Sequence, residues 1–117
     1  MSAFGDYVRR RRTARNESDP QFSLRRVAAA VGVEPSYLSK VERGEQPPPS
    51  EKTIVALAQV LGEDADMMLA LAGKVSEELQ EIIRKRPQLF AQLIRELKDL
   101  PDHAVLRLVR EVRDGNW

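Results

Sequence analysis

The chain of 117 residues carries 19 lysines and arginines against 18 aspartates and glutamates, with one histidine and no cysteine. A chain of this length is expected to fold as one compact domain, or as a small domain with an appendage. The lack of cysteine excludes disulfide bonds, thiolate metal ligands and cysteine nucleophiles, and His103 alone cannot build a metal site or a catalytic pair. No metal, no cofactor and no enzymatic activity are therefore predicted.

The apolar content and the distribution of charge narrow the class of protein further. The N-terminus has no apolar run typical of a signal peptide, and no stretch of about 18 apolar residues occurs, so a cytoplasmic protein without membrane contact is expected. Association with the nucleoid is expected only if the chain binds nucleic acid. Residues 1–62 have a net charge of +3, whereas residues 63–117 have a net charge of −2. A basic half beside a mildly acidic half fits a nucleic-acid-binding face with a separate assembly module.

The spacing of apolar residues predicts eight helices and no strand, so the predicted fold class is all-α. The first helix runs from about Ala3 to Arg15, and a polar connection at residues 16–21 follows it. Ser23 is predicted to cap the second helix, which Gly32 ends by adopting a left-handed conformation.

The next two helices are separated by a proline-rich connector. Pro35 is predicted at the first position of the third helix, which stops at Gly44. Residues 45–49, EQPPP, are expected to be extended, because each proline disfavours helix in the residue before it. Ser50 is predicted to cap the fourth helix, which ends at Gly62.

The remaining helices divide between two predicted domains. Residues 1–73, with the first five predicted helices, are predicted to form one domain, and residues 74–117 a helical C-terminal extension. The four helices after the fourth begin at about Asp64, Ser76, Pro87 and Pro101.

Residues 23–44, SLRRVAAAVGVEPSYLSKVERG, contain the most informative motif. They place two short helices around a turn of three to four residues that contains glycine, which is the helix-turn-helix arrangement. Ala28 and Ala29 are predicted where the two helices cross, because small side chains permit close approach. On the second helix of the pair, one stripe carries only hydrogen-bond donors, so it can enter a major groove. Its members are Ser36, Ser39, Lys40 and Arg43.

This motif, followed by PPSEKTIVALAQVLG at residues 48–62, resembles the Cro/lambda-repressor-like (XRE-type) helix-turn-helix DNA-binding family over about residues 4–62. The resemblance implies a five-helix repressor-like domain whose third helix reads the major groove of double-stranded DNA. It also implies a structural ion pair between Arg12 and Glu42 that ties the first helix to the third. The base-reading positions that it implies are Pro35, Ser36, Ser39 and Lys40.

Phosphate contacts are predicted from the resemblance and from charge. The resemblance places Ser23 and Leu24 at the phosphate-contacting start of the second helix, and Lys52 where it can approach the DNA backbone or the minor groove. Four successive arginines point around a helix, so at most about two of residues 9–12 can face one phosphate track. The arginines predicted to contact phosphates are Arg9, Arg10, Arg25, Arg26 and Arg43.

Two features depart from the usual pattern of that family. The connection at residues 16–22 is several residues longer than usual. Pro35 replaces the polar residue often found at the first base-reading position, and its side chain cannot hydrogen-bond a base.

The C-terminal extension carries two apolar stripes, at residues 89–97 and 105–112. They either form an intramolecular core or exceed what a short appendage can bury, and the second interpretation favours a homodimer. An isologous contact would hold two recognition helices about 34 Å apart on a pseudo-palindromic operator. Trp117 is expected to be a mobile end unless the dimer covers it. The predicted interface includes Leu93, Ile94, Leu97, Leu108 and Val109.

Two functions follow from these observations. The first is a sequence-specific DNA-binding transcriptional regulator, a repressor that binds its operator as a homodimer. The alternative is an antitoxin-like or adaptor protein whose C-terminal helices bind a protein partner, with DNA binding secondary or lost.

Overall fold

The computed structural model describes residues 2–115, and over these residues the chain is helical with no strand. The all-α prediction is confirmed, and the expectation for Trp117 lies outside the described residues. A short 3₁₀ turn, Pro20–Phe22, lies in the connection that follows the first helix. The α-helices are α1 (Ala3–Asn16), α2 (Leu24–Val31), α3 (Pro35–Glu42), α4 (Glu51–Leu61), α5 (Ala65–Leu71), α6 (Glu77–Lys85), α7 (Pro87–Leu97) and α8 (Asp102–Asp114).

Local capping signals determine where α2 and α4 begin and end. The side chains of Ser23 and Ser50 each accept a hydrogen bond from the backbone N–H three residues further on, as their N-cap prediction requires. Gly32 and Gly62 end the two helices with φ values of 88° and 68°, the left-handed conformation that glycine adopts without strain. These four predictions are confirmed.

The chain forms two compact units: the N-terminal unit, Met1–Ser76, and the C-terminal unit, Glu77–Trp117. This division lies three residues beyond the boundary expected from the sequence. Every one of α1 to α5 contributes side chains to the core of the N-terminal unit, so each helix is held by the others. The core residues are Phe4, Val8, Val27, Ala28, Leu38, Val41, Ile54, Leu57, Ala58, Leu61, Met68 and Leu69.

The C-terminal unit has amphipathic helices but no enclosed core. Within its described residues, α6, α7 and α8 contain no buried side chain. Helices of 9, 11 and 13 residues are marginal in water unless an apolar face packs against another element. The exposed large apolar residues of this unit are Leu79, Ile82, Leu89, Leu93, Ile94, Leu100, Leu106, Leu108, Val109 and Val112.

Candidate nucleic-acid interface

The α2–turn–α3 segment has the geometry of a helix-turn-helix. The turn between the two helices is three residues long, Gly32–Glu34. The backbone N–H of Val33 donates to the carbonyl oxygen of Ala28 at 2.9 Å, and the Val33 side chain packs against the core. The backbone and the side chain of Val33 thus both hold the turn in place, and the turn fixes the angle between α2 and α3.

The crossing of α2 and α3 involves only one of the two alanines predicted there. Ala28 is completely buried, whereas Ala29 is exposed. The prediction for Ala29 is wrong because successive residues point about 100° apart around a helix, so neighbours rarely share one contact face.

The two faces of α3 have different environments. Leu38 and Val41 lie in the core, and Ser36 and Lys40 are exposed on the other side. Ser36 and Lys40 are four residues apart, so they are neighbours on one helix face. Within residues 2–115 neither side chain has a hydrogen-bonding or ionic partner. The face therefore presents hydrogen-bond donors without internal partners, and the half-buried Pro35 and Ser39 flank them.

A buried ion pair anchors the end of α3 to α1. Arg12 donates from Nε to Oε2 of Glu42 at 2.6 Å and from Nη2 to Oε1 at 2.9 Å, and both side chains are nearly inaccessible. Such parallel bonds fix geometry as well as contributing energy. The Nη1 group of Arg12 donates to the carbonyl oxygen of Phe22 at 3.3 Å. One guanidinium group thus connects α1, the 3₁₀ turn and the last turn of α3.

Gly5 permits a close approach of the same two helices, and sequence reasoning missed it. A Cβ atom at this position would overlap the carbonyl oxygen of Val41 and lie 2.9 Å from that of Glu42. Only glycine lets the backbone of α1 come this near to the end of α3. The available signal was glycine inside a helix, which costs about 1 kcal/mol relative to alanine and so indicates a packing requirement.

Besides Arg12, two further arginines of α1, Arg11 and Arg15, contact other parts of the N-terminal unit through their side chains. Arg11 Nε donates to Oε1 of Glu63, and Tyr7 Oη donates to Oε2 of the same carboxylate at 3.2 Å. The hydrogen bond from Arg11 lowers the pKa of Glu63. The pKa of Tyr7 is raised, mainly by burial and to a smaller degree by its hydrogen bond to Glu63. The guanidinium group of Arg15 lies 5.5 Å from the centroid of the Phe22 ring. Arg11 and Arg15, like Arg12, therefore stabilise the fold through contacts inside the protein.

Arg9 and Arg10 are the exposed arginines of α1 that remain for an external ligand. They line a shallow surface depression together with Asp6 and Thr13. Within residues 2–115, the only protein contact of either side chain is a long hydrogen bond of 3.4 Å from Arg10 Nε to the carbonyl oxygen of Asp6. Two of the four successive arginines at residues 9–12 thus remain exposed without an ionic partner, the number that helix geometry allows to face one line of phosphates.

The start of α2 forms a second basic surface. Ser23, Arg25, Arg26 and Ala29 line one polar depression. The hydroxyl group of Ser23 accepts from the N–H of Arg26 at 3.3 Å, and the remaining N–H groups of this first turn suit an anion. Leu24 is half-buried against the core, so it can contribute only its backbone N–H to a phosphate contact.

The other predicted phosphate ligands lie after α3 and at the start of α4. Arg43 is the C-cap of α3 rather than part of it, and its exposed side chain pairs with Glu45. The helix therefore ends two residues before the predicted Gly44. Lys52 is exposed in the first turn of α4. Contact of any of these residues with DNA stays a prediction.

The predicted dimer residues lie mostly in one apolar groove of the C-terminal unit. Leu93, Leu97, Leu108 and Val109 line it, whereas Ile94 is half-exposed outside its lining. Val105 and Val112 complete the apolar lining, and Arg113 also borders the groove. Their role in an interface stays a prediction.

The arrangement of α2, the turn and α3 within a closed helical unit defines a helix-turn-helix protein. Residues 3–71, more than half of the chain, match the family of helix-turn-helix domains, and the chain belongs to that family. A curated relative is RghRB of Bacillus subtilis (strain 168), named an uncharacterized HTH-type transcriptional regulator. It is 32% identical over 82 residues, which cover 70% of this chain and 55% of the relative. The chain thus spans about half the length of the relative.

No solved structure matches the chain significantly. Among the described residues, no helix is long and apolar enough to cross a bilayer. The same residues contain no group of three or more histidine, cysteine or acidic side chains suited to hold a metal ion.

Proposed function

We propose that the protein is a sequence-specific DNA-binding transcriptional regulator of the Cro/lambda-repressor-like (XRE) type, which binds a pseudo-palindromic operator as a homodimer and represses transcription. The observation that carries this proposal is the exposed donor face of α3. Ser36 and Lys40 stand opposite the buried Leu38 and Val41, on a helix that a buried ion pair anchors to α1. A helix held so firmly is suited to direct readout, because its donors keep their positions when they enter a groove.

Base readout is assigned to the first two turns of α3. Lys40 can donate to the O6 and N7 acceptors of guanine, and the hydroxyl groups of Ser36 and Ser39 can serve donor or acceptor edges. Pro35 has no N–H and offers an apolar contact, which suits a thymine methyl group.

Phosphate binding is assigned to basic groups around that face. The groups assigned are the exposed Arg9 and Arg10 of α1, Arg25 and Arg26 of α2, Lys52 of α4, and Arg43. If a dimer neutralises about 6–10 phosphates, log affinity should fall against log salt with a slope of about −5 to −9. A flat salt response would contradict binding to DNA.

Selection of bound sites from random DNA tests the proposal most directly. The wild-type protein should enrich a two-fold symmetric motif. Lys40→Ala should lose about 1–3 kcal/mol at one base position and relax the preference there. Arg25→Ala should weaken binding to all sequences about equally, because a phosphate contact carries no direct sequence information.

The matched control is Arg84→Ala, a surface arginine of α6, which should leave both affinity and motif unchanged. If Lys40→Ala lowers affinity without altering the motif, Lys40 contacts phosphate and does not read bases. If the wild-type protein enriches no motif, the proposed function is wrong.

An adaptor or antitoxin-like function is the second candidate, and the exposed apolar side chains of α6 to α8 favour it. Such a protein would bind a different chain through these helices, with or without DNA. The free donors of α3 have no use in an adaptor that has lost DNA binding, and for this reason DNA binding is the preferred proposal. Co-purification of a defined partner that abolishes motif selection would favour the adaptor.

A further inference from the structure

The apolar groove of the C-terminal unit is bordered by α7 and α8, and α8 carries a charged residue near each end. Val105, Leu108, Val109 and Val112 form the α8 side of the groove. Asp102 lies in the first turn of α8 and Arg113 in the last. Among the described residues Asp102 has no ionic partner, and Arg113 has only a long contact of 3.8 Å with its neighbour Asp114.

The apolar stripe of α8 is self-complementary when a second α8 lies antiparallel to it. The intervals between residues 105, 108, 109 and 112 read the same in both directions. A two-fold axis between Leu108 and Val109 therefore places each Leu108 opposite Val109 of the partner subunit. It also places each Val105 opposite Val112 of the partner subunit. Such a contact is isologous and closes as a dimer.

The charges of α8 distinguish antiparallel from parallel pairing. Asp102 and Arg113 are eleven residues apart, close to three full turns, so they lie on the same side of the helix. In the antiparallel pair Asp102 is level with a point two residues, about 3 Å, beyond Arg113 of the partner subunit, an offset that the long arginine side chain can span. Symmetry repeats the attraction at the other end. Parallel pairing about a two-fold axis would put the two Asp102 side chains on opposite flanks of the helix pair, three turns away from either Arg113, so it would provide no such attraction.

The overall charge of the C-terminal unit also permits self-association. Residues 77–117 contain eight acidic and eight basic side chains, so two copies meet without net repulsion. Because these helices bury no side chain of their own, a second copy supplies the packing that short helices need.

We propose that α8 of a second copy occupies this groove, antiparallel to the first, with Asp102 of each chain paired to Arg113 of the partner subunit. The proposal rests on the homodimer of the proposed function and specifies its geometry. The predicted residues Leu93 and Leu97 form the α7 wall of the groove that receives the second helix.

Charge reversal tests the pairing. In sedimentation experiments on the full chain, Asp102→Arg and Arg113→Asp should each weaken dimerisation about tenfold, because attraction at both ends becomes repulsion. The control Arg107→Asp changes a residue on the opposite side of α8 and should leave dimerisation unchanged. Circular dichroism should show that every variant retains its helical content.

Mixing the two single variants decides the question, since each reversal also opposes the dipole of its own helix. In the mixed dimer, Arg at position 102 faces Asp at position 113, and Asp102 faces Arg113. Association should then recover to within about twofold of the wild type, although neither variant dimerises well alone. Failure to recover would overturn the proposal, as would a wild-type protein that stays monomeric at tens of micromolar.

The outcome is separable from that of the proposed function. If mixing fails while the wild-type dimer still selects a symmetric DNA motif, DNA binding stands and only the α8 pairing is wrong. If mixing succeeds and no motif is selected, the pairing stands and the proposed function is wrong.

Discussion

The fourth and seventh helices are both eleven residues long and amphipathic, but they have different surroundings. Leu57 of α4 is 1% exposed, whereas Leu93 of α7 is 46% exposed. In the N-terminal unit α4 packs against α2 and α5, and its apolar side lies in the core to which all five helices contribute. The described residues of the C-terminal unit form three helices, and these do not enclose one another's apolar sides. An amphipathic pattern therefore predicts a helix, but burial requires enough neighbours to close a core.

The same contrast separates two tasks within the proposed function. The closed unit holds α3 rigidly through Arg12, Glu42 and Gly5, as readout of bases requires. The open unit exposes apolar surface of the kind that marks an interaction site. DNA affinity is then expected to depend on protein concentration, because dimerisation precedes tight binding to a two-fold site.

Separating the two units should give the largest effect. A fragment of residues 1–76 should keep its helices and unfold cooperatively, because its core is complete. A fragment of residues 77–117 should lose most of its helical content at low micromolar concentration and regain it as concentration rises. Circular dichroism over a concentration series measures both. A C-terminal fragment that is fully helical at every concentration would show that this unit, like the N-terminal one, folds without a partner.

Breaking the buried ion pair should be the most severe single change in the closed unit. Glu42→Ala leaves the Arg12 charge buried without its partner, so the free energy of unfolding should fall by about 3–5 kcal/mol. Urea denaturation of the full chain measures this. The control, Glu81→Ala in the C-terminal unit, removes an exposed partner of Arg84 and should change stability by about 0–1 kcal/mol. Equal effects of the two substitutions would contradict the structure.

A smaller loss of folding stability is expected when a side chain is added at Gly5, where α1 lies close to the end of α3. Gly5→Ala should destabilise by about 1–3 kcal/mol, because the added methyl group pushes α1 away from the end of α3. Helix propensity alone predicts the opposite sign, a gain of about 1 kcal/mol. Thr13→Ala, at an exposed position of the same helix, should stay within about 0.5 kcal/mol of the wild type. A stabilised Gly5→Ala protein would show that the two backbones are further apart.

The smallest expected effect concerns acid stability. The pKa of Glu63 is lowered in the folded state from its ordinary value of 4.5, so its contribution to stability is present above that value and is lost as pH falls through the folded value. Glu63→Gln should lower stability slightly at pH 7 and flatten its decline below about pH 4.5. The effect is limited because Arg11 is half-exposed and solvent screens the pair. Thermal unfolding of both proteins between pH 3 and 7 measures the difference, and identical profiles would exclude the contribution.

Local signals allowed most of the helices to be predicted. Ser23, Gly32, Ser50 and Gly62 act on backbone groups within a few residues, so their effects can be read without knowing the fold. The 3₁₀ turn at residues 20–22 could not be predicted in this way. It is braced by the hydrogen bond from Arg12 to Phe22 and by Arg15 over the ring of Phe22, which are contacts between separate elements.

By itself, the sequence determined the all-α class, the helix-turn-helix and the donor face of α3, because periodicity and capping are properties of neighbouring residues. Only the tertiary structure decided which arginines of α1 remain free for a ligand. Arg11 has its partner at Glu63 and Arg12 at Glu42, 52 and 30 residues away along the chain. Contacts over such distances depend on how five helices pack together, and that packing leaves Arg9 and Arg10 facing outward.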